Sequence, residues 1–179
     1  LDDYFRGVKQ TGAQSLIFMC KTAHGGSFWP TQVGVRNPSL SVDLVGEVSR
    51  RTKALRLEFI AYYNVVLSWD LPRLHPEWAQ LGRDGQPLRM FLYPCSCMSW
   101  DGFRDYVAEH LAEIARDYPI DGFFLDLQYF SPQGCFCAAC RDKFAARFGY
   151  PLDPEAFGTR QWQDLLTYQV DTREAFLAA

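Results

Sequence analysis

Three short, continuously apolar runs punctuate the chain: QSLIFMCK (14–21), LEFIAYYNVV (57–66) and IDGFFLDLQYF (120–130). Runs of that length with little polar alternation predict strands buried on both faces, as in parallel sheets. Between them the apolar residues recur at helical spacing. LDDYFRGVKQTG, with Tyr4, Phe5 and Val8 on one side, predicts an opening helix stopped by Gly12. SVDLVGEVSRRTKAL (41–55) sets Val42, Val45, Val48 and Thr52 on one face. DGFRDYVAEHLAEIARDY (101–118) sets Phe103, Val107, Leu111 and Ile114 behind Asp101, a capping residue. Two more helical stretches, roughly 138–148 and 161–178, close the sequence. Residues 21–39 and 67–100 read as long loops, the second with LRMFLYPC (88–95) as a short strand.

Helices thus alternate with strands, which implies parallel pairing through right-handed crossovers. Each long loop follows a strand, and the aromatic and polar residues collect in those loops, as at the C-terminal face of a (β/α)8 barrel. No G-x-G-x-x-G follows any strand, so the dinucleotide fold and an organic cofactor are not indicated. A whole barrel takes about 200 residues or more. The expectation is an incomplete TIM barrel of about three to four β/α units, with residues 1–179 as one domain fragment of a longer protein.

Composition narrows the partners. The net charge of −3, without a Lys/Arg block, argues against nucleic acid and anionic membrane surfaces. No apolar stretch approaches the ~20 residues of a membrane span. Aromatics make up 16% of the chain, enough to line a sugar cleft as well as a core.

Asp126 is the first charge after the third apolar run, at the end of a strand where barrel enzymes carry catalytic groups. A carboxylate there either works on a substrate or caps and salt-bridges the strand end. Glycoside hydrolysis needs two carboxylates flanking the scissile bond. Glu47, Glu58, Glu109 and Glu113 fall on helices or at a strand start, so the general acid is expected beyond residue 179.

The loop KTAHGGSFWPTQVGVRNPS (21–39), the pair in IAYYNV and the motif DGFFLD occur in this order. The ordered set resembles the family 29 α-L-fucosidases and related hypothetical glycoside hydrolases. The resemblance implies a terminal-sugar glycosidase, retaining, with Asp126 as nucleophile. His24 would hydrogen-bond sugar hydroxyls and Trp29 would stack on or wall the sugar. Lys21, Tyr63 and Tyr129 complete the substrate-binding candidates, although Lys21 equally suits a strand-end salt bridge. Tyr62 and Tyr63 point to opposite faces, so at most one of them faces a barrel axis. Ala23 stands where the family usually has a second histidine, so the match carries the fold further than the sugar.

Cys135, Cys137 and Cys140 form C-x-C-x-x-C, three thiolates toward the four of a structural zinc site. Cys95 or Cys97 can supply the fourth; disulfides and free thiols are the other readings. The segment is similar to the zinc cluster of family 42 β-galactosidases, which favours Cys97. Bound zinc would in turn favour a cytoplasmic setting. Gln128 stands where that family has its acid/base glutamate, and an amide cannot exchange the proton. The alternatives are a β-galactosidase-like enzyme or a catalytically silent carbohydrate-binding barrel, with a zinc-dependent hydrolase behind both. Residues 1–179 alone are expected to be inactive, and an oligomer is compatible with the whole protein.

Overall fold

The computed structural model describes residues 1–178. Helix α1 (Asp2–Thr11) stops where Gly12 turns the backbone left-handed at φ 70°. Strand β1 (Ser15–Lys21) leads through a long loop to α2 (Leu44–Ala54), whose first turn is capped by Asp43 accepting from the Gly46 N–H. Strand β2 (Glu58–Asn64) precedes a short helix α3 (Leu71–Leu74) and a 3₁₀ turn (Pro76–Trp78). A small hairpin of β3 (Arg89–Met90) and β4 (Tyr93–Pro94) replaces the single short strand read from LRMFLYPC. Helix α4 (Asp101–Asp117), strand β5 (Gly122–Asp126) and helices α5 (Ala138–Phe148) and α6 (Arg160–Leu177) follow.

The chain is mixed α/β. Its parallel sheet has the order β1-β2-β5, so each strand pairs with the next long apolar run, as the alternation implies. Lys21 pairs with Tyr63, and Asn64 with Asp126, so the three strands end side by side.

The residues gather in two compact units. The first comprises Leu1–Val65 and Glu109–Asp126 and holds the sheet with α1, α2 and the C-terminal part of α4. Helix α2 packs on β1 and β2, burying Val45 and Val48 with Cys20, Phe59, Ala61 and Tyr63. The opposite sheet face is a row of Met19, Tyr62 and Phe124 in register, with Ile17 beside it. There Ile17, Met19 and Phe124 are 54%, 44% and 45% exposed. Within the described residues helices cover one face of the sheet, and this apolar face is left open.

The second unit comprises Val66–Ala108 and the residues from Leu127 onward. Its core surrounds four cysteines with Phe136, Phe144, Leu152, Trp162, Leu165 and Tyr168. Phe103 of α4 stacks on Phe176 of α6 at 5.7 Å, which ties the last helix into this unit.

Candidate functional site

In the first unit the strand ends collect the chemistry. β5 terminates at Asp126, whose carbonyl accepts from Val65 N–H at 2.9 Å, and the next residue, Leu127, is held left-handed at φ 59°. A branched residue in that region is strained, and such strain concentrates at working sites. The Tyr62 hydroxyl donates to Asp126 Oδ2. The Tyr62 ring stacks on Phe124 at 5.5 Å and 15° on the exposed sheet face. Burial, then the bond to Asp126 and its charge, push the Tyr62 phenol up to about 12, so it remains a donor at neutral pH.

Tyr63 points the other way. It is fully buried, with its hydroxyl 2.9 Å from His110 Nδ1. The binding role expected for Tyr63 is therefore corrected: this side chain is core, and Tyr62 is the tyrosine beside Asp126. Trp29 is likewise buried, at 1% exposure, with its indole N–H donating to Glu113 Oε2 at 2.8 Å and its ring 4.5 Å from His110. Its face is taken by protein, so it is a wall behind the loop and not an open stacking platform. Lys21 is fully buried too; its ammonium donates to the Asn64 carbonyl at 2.7 Å and lies 5.1 Å from the Tyr63 ring centre. That bond ties β1 to β2 at the strand ends. His24 stands exposed in the turn that Gly25 N–H closes onto the Thr22 carbonyl at 3.0 Å.

Two residues of α4 hold this arrangement, and neither was read as functional from sequence. His110 is fully buried between Ser27 Oγ, 3.1 Å from its Nε2, and the Tyr63 hydroxyl. Burial and the nearby Lys21 charge lower it to about 3, with Glu113 opposing, so the ring is neutral at physiological pH. Glu113 accepts from Trp29 Nε1, from Thr31 Oγ1 at 2.5 Å and from the Gln32 N–H at 2.7 Å. Burial alone would raise its carboxyl, but the three donors outweigh it and hold the group below the usual value. Glu113 is thus a clamp on the loop after β1. Asp121, at the opposite end of β5 from Asp126, accepts from Phe59 N–H at 2.6 Å and pairs with Lys53. It joins strand starts.

In the second unit Cys97, Cys135, Cys137 and Cys140 bring their sulfurs within 4.8 Å of one another, all buried. Cys97 Sγ lies 3.4, 3.7 and 3.6 Å from those of Cys140, Cys135 and Cys137. None of the six cysteines is in a disulfide. The four can hold a metal ion. Cys95, buried but outside the group, bonds toward the Tyr93 carbonyl instead, so Cys97 is the fourth member. Burial and then the neighbouring sulfurs push the Cys97 thiol up, whereas hydrogen bonds from the other three cysteines depress Cys137. Ser99 Oγ sits 3.2 Å from Cys140 Sγ and accepts from the Tyr168 hydroxyl at 2.9 Å, tying α6 to the cluster. Before Cys135 the chain turns at Gly134, φ 87°, where a Cβ would lie 2.9 Å from Leu165 Cδ2. Tyr129 belongs to this unit, its carbonyl accepting from Gln80 Nε2 at 2.7 Å.

Comparison with known proteins agrees with this architecture. Residues 1–127 match the sequence model of a family described as hypothetical glycosyl hydrolase 6. The match ends one residue past Asp126, ahead of Cys135, Cys137 and Cys140. No curated protein matches the sequence. Among solved structures, α-L-fucosidase isoenzyme 2 from Paenibacillus thiaminolyticus is similar at TM-score 0.81 and 22% identity, over 99% of this chain and 26% of that one. A hypothetical protein from Ruminiclostridium thermocellum ATCC 27405 gives TM-score 0.64 and 14% identity, over 97% and 84%. A Thermotoga maritima α-fucosidase bound to a mechanism-based inhibitor gives 0.51 and 22%, over 69% and 28%. The chain therefore spans about a quarter of the length of the fucosidases it resembles, and the likeness is one of fold.

Proposed function

Since the chain belongs to the hypothetical glycosyl hydrolase 6 family, we propose that it forms part of a retaining glycosidase, α-L-fucosidase-like, with Asp126 as nucleophile. The observation that carries the reading is the Asp126 carboxylate at the common end of three parallel strands, held by the Tyr62 hydroxyl and followed by a strained leucine. The row of Met19, Tyr62 and Phe124 on the uncovered sheet face supports an incomplete (β/α)8 barrel, since an apolar face on a parallel sheet is what a packed barrel interior requires.

In such a mechanism the Asp126 carboxylate attacks the anomeric carbon and forms a glycosyl ester, which water then hydrolyses. Tyr62 fixes the Oδ2 lone pairs, and this orients the carboxylate without neutralising it. His24, exposed at the end of β1, is proposed to bond sugar hydroxyls. A partner carboxylate about 5–5.5 Å away must protonate the leaving oxygen. Glu113 is committed to the loop and Glu47 to Arg50 and Arg51, so neither serves. Residues 1–179 alone are accordingly proposed to turn over aryl glycosides negligibly.

For the cysteine group we propose structural zinc. A tetrahedron with Zn–S bonds of about 2.3 Å has edges of about 3.8 Å, and the distances from Cys97 to its neighbours, 3.4–3.7 Å, lie just inside that. Four thiolates would leave no open coordination position, so the ion would staple the loops and take no part in hydrolysis.

The test uses the native polypeptide that carries residues 1–179, screened on aryl fucosides, galactosides and arabinosides. Asp126→Asn should lower turnover by orders of magnitude with folding intact. Azide should partly rescue Asp126→Gly and yield a glycosyl azide. Near-normal turnover of Asp126→Asn refutes the assignment. Metal analysis of protein purified without chelators should find one zinc per chain, and its absence refutes the zinc reading.

A further inference from the structure

Ser99, two positions after Cys97, reaches two of the four clustered sulfurs. Its backbone N–H donates to Cys97 Sγ at 3.4 Å, and its Oγ lies 3.2 Å from Cys140 Sγ. Ser99 and both cysteines are buried. Behind the serine stands Tyr168 of α6, also buried, whose hydroxyl donates to Ser99 Oγ at 2.9 Å. Phe144 packs edge-on against the Tyr168 ring at 6.1 Å and 77°, which fixes where that hydroxyl lies. All of these residues belong to the second unit.

A cysteine sulfur that ligates a metal carries no proton and can only accept, so beside it the Ser99 hydroxyl must turn its single proton toward Cys140. Its oxygen is then left to accept from Tyr168, the direction the structure already has. The donors run one way, from Tyr168 to Ser99 to Cys140. Four thiolates around divalent zinc carry a net charge of about −2. Buried charge is costly unless hydrogen bonds spread it. The surrounding core of Phe136, Phe144, Leu152, Trp162 and Leu165 offers no positive charge to offset it. Donors aimed at sulfur must do that instead, and those of Ser99 are in place.

We propose that Ser99 and Tyr168 are positioning residues that set the metal affinity of the four-cysteine group, Ser99 by bonding the ligating sulfurs and Tyr168 by holding the Ser99 proton on Cys140. This rests on the zinc reading given above. A hydrogen bond draws electron density from a sulfur, which lessens repulsion within the ligand set and competition from protons. The coupling runs outward as well. A charged Cys140 sulfur strengthens the Ser99 bond, and Ser99 keeps Tyr168 docked, so metal content and the seating of α6 are linked.

The experiment strips metal from the native polypeptide that carries residues 1–179 and titrates it with zinc against a chromophoric chelator. A parallel titration uses cobalt(II), whose thiolate-to-metal charge-transfer band reports electron density on sulfur. Ser99→Ala keeps the N–H on Cys97 and deletes only the hydroxyl. It should lower zinc affinity about 10- to 100-fold and move the cobalt band to longer wavelength. Tyr168→Phe keeps the ring packing and should move the band the same way by less, with an affinity loss of about two- to fivefold. Ser99→Thr restores a hydroxyl and should recover most of the lost affinity. Wild-type affinity in Ser99→Ala overturns the proposal. So does weakened binding with the cobalt band unmoved in both Ser99→Ala and Tyr168→Phe, because a merely structural role loosens the site without changing the sulfur. A wild-type chain that binds neither ion removes the zinc reading and the proposal with it. Tight wild-type binding that neither substitution alters leaves the zinc reading standing and removes the proposal alone.

Discussion

Replacing Glu113 tests whether the loop after β1 is held from behind or shaped for direct sugar contact. The carboxylate is 3% exposed and accepts from Trp29 Nε1, Thr31 Oγ1 and Gln32 N–H. A hydrogen bond to a charged acceptor contributes about 1.5–3 kcal/mol. Three of them sum to more than any one deletion costs, because they share one acceptor and the loop can relax toward water. Glu113→Ala, which strands a buried indole N–H and a backbone N–H, should therefore cost about 3–5 kcal/mol. Glu113→Gln keeps one acceptor oxygen and the shape, and should cost about half as much. Urea unfolding followed by tryptophan fluorescence reads the change as a shift in midpoint at constant slope. Glu109→Ala, exposed on the same helix, is the control and should stay within about 0.5 kcal/mol. If Glu113→Ala lies within about 1 kcal/mol of wild type, the clamp is not a stabilising element.

The two tyrosines of β2 should separate cleanly: under the proposed glycosidase reading Tyr62→Phe should lower kcat about tenfold through loss of one charge-assisted bond, whereas Tyr63→Phe should leave kcat alone and cost about 1–2 kcal/mol in urea. Gly134→Ala should destabilise by about 1–3 kcal/mol, since the residue is left-handed and a methyl would press on Leu165; unchanged melting temperature and zinc content would contradict the tight turn. Stability should fall with acidification in two stages. His110 has its folded value, about 3, below its unfolded 6.5, so a proton favours the unfolded chain from about pH 6.5 downward. The loss should approach about 1.4 kcal/mol per pH unit. Glu113, also depressed, adds its loss only below about pH 4.3. A pH–stability curve flat between pH 7 and 5, or one unaltered by His110→Gln, would refute this.

What could be read from sequence and what could not follows from how far each interaction reaches along the chain. The strand that stops at Asp126 was legible because four apolar residues followed by a charge are a local statement about burial. The cysteine group was legible for the same reason: Cys135, Cys137 and Cys140 lie within six residues, and only the partner from the previous loop had to be chosen. The facing of Tyr62 and Tyr63 was not legible, since alternation fixes that they differ but not which side the helices cover. The sheet answers it through α2 and α4, which cover the Tyr63 side. The anchoring of Trp29 has a related explanation: its partner Glu113 is 84 positions away, so the local sequence shows an aromatic loop but not what holds it. His110 and Leu111 both fall near the stripe of Phe103, Val107 and Ile114, and hydrophobicity alone prefers Leu111. The fold prefers His110, because a buried position facing Ser27 and Tyr63 needs a side chain that can bond on both edges. A helix stripe interrupted by histidine, opposite a strand that ends in polar residues, is therefore better read as the back of a site than as a flaw in the helix.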